Sequence, residues 1–225
     1  MRRTLIFKGK RILRIGFFGD GRSNRALFSY LTENYDGITY TLRTDMRCPD
    51  LGSGKFSEIL SGEAARKYID EDILFLSPSV RRDATEFKEA EKRGVILSSD
   101  VEFFFENKKI PVFAVTGSDG KSTTATLASL MLSEKEGDFP ASANIGVPMS
   151  ALLSSEHLRG TVAELSSFQL MSTLPRTERA LITNVTENHL DWHLSMWEYL
   201  GAKENVLKFT QKRIFNLDCP YSLLF

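Results

Sequence analysis

Short apolar runs alternate with glycine turns and amphipathic stretches along this chain. Ile12 to Phe18 is apolar and breaks into Gly19-Asp-Gly21-Arg-Ser-Asn24, after which Leu27, Tyr30 and Leu31 recur at helical spacing. That predicts a strand, a tight turn and a helix. Ile38 to Leu42 and Ile73 to Leu76 read as further strands, the second ending at Ser77-Pro78. Asp83-x-x-Glu86 has the form of a capping box for a helix that stops at Gly94, before a short strand over 95–97. Asp100 to Glu106 reads as an amphipathic helix, and the charged Asn107-Lys-Lys109 after it marks a domain boundary, giving a first domain of residues 1–108 and a second of 109–225.

The second half repeats the pattern. Pro111 to Thr116 is a β-branched run leading into Gly117, and Leu127, Leu130 and Met131 predict the apolar face of the helix that follows. Thr161-Val-Ala-Glu164 and Ala180-Leu-Ile-Thr-Asn-Val185 are strands, the latter running into Glu187-Asn-His189-Leu-Asp191-Trp-His193. Ser195-x-x-Glu198 reads as a capping box for a helix with Met196, Tyr199, Leu200, Val206 and Leu207 on one face, and Arg213 to Leu217 as a last strand. Strand–helix alternation of this kind predicts parallel sheets with helices on their faces. The fold class is therefore α/β: an N-terminal Rossmann-like parallel-sheet domain followed by an incomplete P-loop ATPase-type α/β central domain.

At 225 residues, 42% hydrophobic and 26% charged, the chain has the material for two cores. A formal net charge of +0 gives no global attraction to nucleic acid or to membrane lipid, so anion binding has to be local. Cys48 and Cys219 have neither metal-ligand nor redox spacing, and no run approaches a membrane span or a secretory leader. A cytoplasmic, monomeric protein with reduced thiols is expected.

Candidate chemistry gathers just past the strands. In Thr116-Gly-Ser-Asp-Gly-Lys-Ser-Thr123, Gly117 and Gly120 let successive backbone N–H groups turn inward, and a helix starting near Lys121 adds its positive end to the same anion site. Lys121 suits the β and γ phosphates of a nucleotide, and the Ser122 hydroxyl suits Mg2+. Glu164 and His189 each follow a strand and should converge on this loop, because ligands of a parallel sheet bind outside the carboxyl ends of its strands. Lys203 falls in the middle of an apolar helix face, where it either snorkels to solvent or lies buried with a lowered pKa. In the first half, Gly19-x-Gly21-x-x-Asn24 lacks the third glycine of a dinucleotide fingerprint, although Asp45 lies at a distance suited to a ribose.

These residues resemble the Mur ligases, and within them the branch that adds D-glutamate. The resemblance is carried by the loop at 116–123, by Asn144-Ile-Gly-Val-Pro148, by Glu164-Leu-Ser-Ser-Phe-Gln-Leu170, by Asn184-Val-Thr-Glu-Asn-His-Leu-Asp191 and by Tyr199-x-x-Ala-Lys203. It implies ATP-dependent addition of D-glutamate to UDP-N-acetylmuramoyl-L-alanine through an acyl phosphate, in the peptidoglycan synthesis that serves cell shape and division. By the same resemblance Gly117, Ser118, Asp119, Gly120, Lys121, Ser122 and Thr123 hold ATP, Ser122 and Glu164 hold one Mg2+, and His189 with a carbamylated Lys203 holds a second. Arg22, Ser23, Thr44 and Ser77 then contact the uridine nucleotide, and Asn144, Ser166 and Gln169 the sugar and lactoyl-alanine part. Departures from the family pattern occur at Asp45, Ser79, Asn188 and Trp192. The resemblance covers only the first half of a full ligase, so a partial enzyme is expected, with a non-catalytic UDP-sugar- or nucleotide-binding fragment and a dinucleotide-dependent enzyme as the alternatives.

Overall fold

The structure, a computed structural model, describes residues 3–45 and 55–224, without the side chains of residues 222 and 223. Cys48 and the terminal Phe225 lie outside the described residues. The chain forms two compact units, Met1–Asp100 and Val101–Phe225.

The first unit opens with a hairpin of β1 (Ile6–Phe7) and β2 (Lys10–Arg11). Its body is a five-stranded parallel sheet of β3 (Arg14–Phe18), β4 (Thr39–Thr44), β5 (Glu58–Ser61), β6 (Ile73–Leu76) and β7 (Ile96–Ser98), in the order β5-β4-β3-β6-β7. That is a doubly wound arrangement whose order reverses beside β3, so the carboxyl ends of β3 and β6 flank a crevice. Among the described residues α1 (Arg22–Asn34), α2 (Glu63–Arg66) and α3 (Thr85–Lys92) connect the strands. β6 is apolar and buried on both faces, and Leu27 and Leu31 of α1 are fully buried, as the spacing predicted. Asp83 and Glu86 do not form a capping box. Ala84 is the N-cap of α3, Asp83 pairs with Arg81, and Glu86 with Arg66, because both carboxylates have a guanidinium in reach that a cap would forgo.

An ion pair lies inside this unit. Arg43 Nε donates to Glu71 Oε1 at 2.7 Å, and the guanidinium is completed by the carbonyls of Ala65, Lys67 and Tyr68, each at 3.0 Å. Both side chains are almost wholly buried. Breaking such a pair leaves an uncompensated charge in a low dielectric, so Glu71→Gln should lower the unfolding free energy of this unit by about 3 kcal/mol. Urea titration of the two proteins measures it, and an unchanged midpoint would contradict the burial of the pair.

The second unit begins with α4 (Asp100–Asn107). Val101 and Phe104 of this helix belong to the core of the second unit, so the helix before Lys108 packs forward rather than back. Its five-stranded parallel sheet comprises β8 (Val112–Thr116), β9 (Ala141–Ala143), β10 (Thr161–Glu164), β11 (Arg176–Ile182) and β12 (Phe209–Phe215), in the order β12-β11-β8-β10-β9. Strand alternation sends Val112 and Ala114 to a face shared with Phe104, Leu170, Tyr199 and Leu200, and Phe113 and Val115 to the face of α5 (Lys121–Glu136). Among the described residues the remaining α-helices are α6 (Ser167–Leu170) and α7 (Met196–Glu204).

The helix α5 is present, but turned over. Leu127, Leu130 and Met131, the expected core face, are 55%, 63% and 72% exposed. The face on the sheet is Ala125, Ala128, Ser129 and Leu132. Small residues let the helix sit close above β8 and β10, and Ser129 Oγ gives its proton to Phe139 O at 2.7 Å. Among the described residues no helix is long and apolar enough to cross a membrane.

Candidate functional site

In the second unit the predicted residues meet at the carboxyl ends of β8, β10 and β11. The loop from Gly117 to Gly120 leaves β8 and enters α5 at Lys121. Gly117 has φ +148°, and a Cβ there would lie 2.0 Å from Thr183 Oγ1 and 3.0 Å from Asn184 O. Gly120, the residue before α5, is left-handed at φ +75°. The loop is stapled to the chain after β11: Asn184 Oδ1 accepts from the Asp119 N–H at 2.9 Å, Asn184 Nδ2 and Thr183 Oγ1 donate to Asp119 O at 3.0 and 2.7 Å, and Ser118 N–H donates to Asn184 O at 2.9 Å.

Ser118 is buried beneath the loop. Its oxygen accepts from Thr186 N–H at 2.9 Å and donates to Thr186 O at 3.0 Å, which leaves the Tyr199 hydroxyl, 2.9 Å away, as a donor to it. Its hydroxyl is thus committed to the protein, as is its N–H, which donates to Asn184 O. Ser122 and Thr123 are exposed on the first turn of α5.

Two lysines converge on the loop. Lys121 Nζ donates to Ser118 O at 2.6 Å and Lys203 Nζ to Gly117 O at 2.7 Å. Lys203 is 1% exposed, with its ammonium group 4.3 Å from the centre of the Tyr199 ring. It does not snorkel. Burial, helped by the nearby charge of Lys121 and opposed by Asp119, brings its pKa down to about 7. The same burial raises the Tyr199 phenol.

Glu164 ends β10 next to the loop, with Leu165 N–H bonded to Val115 O at 2.9 Å. It is 1% exposed. Oε1 accepts from Asn144 Nδ2 at 2.6 Å, whereas Oε2 is buried without a hydrogen-bond partner. A carboxylate oxygen left in that state fits a cation. Among the described residues no three His, Cys, Asp or Glu side chains cluster to hold a metal by themselves, so a cation here needs oxygens from outside that set, such as the Ser122 hydroxyl or a nucleotide phosphate. Asn144 is thus placed beside Glu164. Ser166 and Gln169 cap α6 reciprocally, Ser166 Oγ accepting from Gln169 N–H at 3.2 Å and Gln169 Oε1 from Ser166 N–H at 2.9 Å.

His189 is exposed, left-handed at φ 54°, and lies edge-on to Phe168 with ring centres 5.0 Å apart. Ser195 Oγ caps α7 by accepting from Glu198 N–H at 3.1 Å, but the Glu198 carboxylate reaches Leu194 N–H at 2.8 Å and faces His193 rather than closing a capping box.

In the first unit Arg22, Ser23, Thr44 and Ser77 lie at the carboxyl ends of β3, β4 and β6. Gly19 turns at φ +90° so close to Ser77 that a Cβ would lie 2.4 Å from its Oγ, and Asn24 Nδ2 ties the turn down through Gly19 O at 2.8 Å. Asp45 has both oxygens on Arg66, at 3.1 and 2.8 Å.

Residues 115–225 match the Mur ligase middle domain. Over 214 residues the chain is 36% identical to the UDP-N-acetylmuramoylalanine–D-glutamate ligase of Clostridium perfringens, covering 91% of this chain and 45% of that protein. It is 44% identical over 141 residues to the ligase of the same name from Acetivibrio thermocellus, covering 61% of this chain and 30% of that one. The chain spans under half the length of these relatives. Among solved structures, UDP-N-acetylmuramate-alanine ligase from Thermotoga maritima superposes with a TM-score of 0.54 at 22% identity, covering 92% of this chain and 50% of that one, which shows a shared fold. With these matches along its length, the chain belongs to the Mur ligase family.

Proposed function

We propose that this chain supplies the ATP and acceptor sites of a ligase that adds D-glutamate to UDP-N-acetylmuramoyl-L-alanine, the reaction named in its curated relatives. The observation that carries the reading is the convergence of Lys121 and Lys203 on one loop, next to the unpartnered Oε2 of Glu164. In this reading the loop N–H groups and Lys121 hold the β and γ phosphates, and the acceptor carboxylate attacks the γ-phosphorus while ADP leaves. The D-glutamate amine then displaces phosphate from the acyl phosphate to form the amide. Magnesium held by Ser122 and Glu164 would neutralise charge on the transferring group.

Lys203 has a further part. Near neutral pH a large share of its amine is uncharged, and an uncharged amine can add to CO2, forming an N–C bond and releasing a proton. The carbamate oxygens would offer a hard cation what an ammonium cannot, with His189 as the partner ligand. Asn144, Ser166 and Gln169 would approach the acceptor, Ser166 and Gln169 by exchanging their mutual cap for substrate contacts. The first unit, through Arg22, Ser23, Thr44 and Ser77, would bind the uridine nucleotide. The protein would work in the cytoplasm as a monomer.

Lys121→Ala should weaken ATP binding by about 1.5 to 3 kcal/mol, the value of a charge-assisted contact with few substitutes. Calorimetry with ATP and Mg2+ measures this, and an affinity unchanged within about twofold would remove the phosphate-loop assignment. Mixing the chain with ATP, Mg2+, UDP-N-acetylmuramoyl-L-alanine and D-glutamate separates ligation from binding alone, since only ligation releases phosphate together with the dipeptide product.

A further inference from the structure

His193 takes no part in the reaction proposed above, yet its ring is 1% exposed and sits where the site's segments meet. Nε2 lies 2.9 Å from Ser167 Oγ, and Nδ1 lies 3.4 Å from Glu198 Oε2. Nδ1 and this carboxylate do not meet with hydrogen-bond geometry, but an acceptor facing Nδ1 favours the proton there, and Nε2 then accepts the Ser167 O–H. Serine, histidine and carboxylate in a row have the form of a nucleophilic triad. Burial removes that use: Ser167 is 3% exposed, and an acyl group has no path to its oxygen. What remains is a clamp.

The clamp joins two particular segments. Ser167 opens α6, three residues after Glu164 on one continuous stretch. His193 closes the turn that carries His189, its N–H donating to His189 O at 2.9 Å. Phe168 repeats the connection, lying edge-on to His189 and parallel to His193 with centres 5.7 Å apart. Tyr199, 5.1 Å from His193, extends the packing to Ser118 of the phosphate loop.

We propose that His193 is a positioning residue whose Nε2–Ser167 bond fixes the separation between Glu164 and His189. The inference rests on the reading of those two side chains as metal-holding groups. A hard cation such as Mg2+ demands near-ideal ligand geometry, and removing a buried partner behind a ligand typically costs about 10- to 100-fold in metal affinity.

The chain has three histidines, His157, His189 and His193, so the ring signals of 15N-histidine-labelled protein can be assigned singly. Mn2+ with ATP serves as the probe, and broadening of the His189 ring signal reports binding. The expected results are a His193 ring protonated on Nδ1, and Mn2+ affinity about tenfold weaker in Ser167→Ala, which leaves the ring and its packing in place. His193→Asn, whose amide sits where Nδ1 was, should lose affinity to the same degree. His193→Gln, whose amide reaches the Nε2 position, should restore it to within about threefold. If His189 in the parent chain is not broadened, the metal reading itself fails. If His189 is broadened but Ser167→Ala binds Mn2+ as the parent does, or if the Asn and Gln variants lose melting temperature alike with affinity unchanged, His193 is packing alone and the positioning role is overturned.

Discussion

At pH 6, Lys203→Met is expected to make the second unit more stable than the parent chain, and near pH 10 less stable. The folded protein holds this amine at a pKa of about 7, against 10.5 when unfolded. Between those values the unfolded chain binds more protons than the folded one, so the parent's stability rises with pH across that window and is flat below it. The full shift corresponds to roughly 5 kcal/mol, an upper bound on what burying the ammonium costs at pH 6. Methionine avoids that cost at similar volume, but it strands Gly117 O, at about 1 to 3 kcal/mol. The net at low pH is a gain of at most about 2 to 4 kcal/mol, and near pH 10 most of the ammonium cost has gone, so that the lost hydrogen bond outweighs what remains of it. Denaturant titrations at pH 6, 8 and 10 test this through the crossing of the two curves; parallel curves would mean that the amine is hydrated in the folded chain. The same variant should lose ATP-dependent turnover. A residue that the fold would be better without is retained for chemistry, which is what the reading of Lys203 requires.

The interior strands were legible because a parallel sheet covered on both faces demands continuous apolar runs, and Ile73–Leu76 and Thr161–Glu164 stand where those runs put them. Edge strands carry no such demand. Glu58–Ser61 is largely exposed and Ala141–Ala143 is short and small, so neither stands out from loop. The face of α5 was misjudged because helical spacing finds large apolar residues, whereas close packing on the sheet called for Ala125 and Ser129. The glycine loop at 117–120, Glu164 and His189 could be located in the fold because each follows a strand. Lys203 could not, since an apolar helix face is compatible with both a snorkelling and a buried lysine, and only the packed loop carbonyl of Gly117 decides between them. His193 and Tyr199 had no signal of their own: a histidine four residues beyond another, and an aromatic on a core face, become informative only when Ser167 and Ser118 arrive from distant segments.

Gly117→Ala is expected to abolish measurable nucleotide binding while leaving the first unit untouched. Two constraints act on the same atom. The backbone φ of +148° lies where a side chain is strained, at about 1 to 3 kcal/mol. The added methyl would also sit 2.0 Å from Thr183 Oγ1 and 3.0 Å from Asn184 O, and the second of these is backbone. A rotamer change at Thr183 can relieve the first clash but would give up its bond to Asp119 O; relieving the second requires the loop and the chain after β11 to part. That separation releases the bonds from Ser118 N–H to Asn184 O and from Asp119 N–H to Asn184 Oδ1, which tie the loop to the chain after β11 and fix its course. It also moves Gly117 O away from Lys203 and Ser118 away from Tyr199, so the loop loses its contacts with α7 as well. An anion site made of oriented N–H groups works by being built in advance, and a shift of about 1 Å can cost about 100-fold. ATP affinity should therefore fall by at least that factor, more than for Lys121→Ala, and the melting of the second unit should drop while that of the first does not. Calorimetry with ATP and Mg2+, together with hydrogen exchange of the amides at 117–121, measures both parts; tight ATP binding with unchanged protection in Gly117→Ala would show that the loop has room which this packing denies.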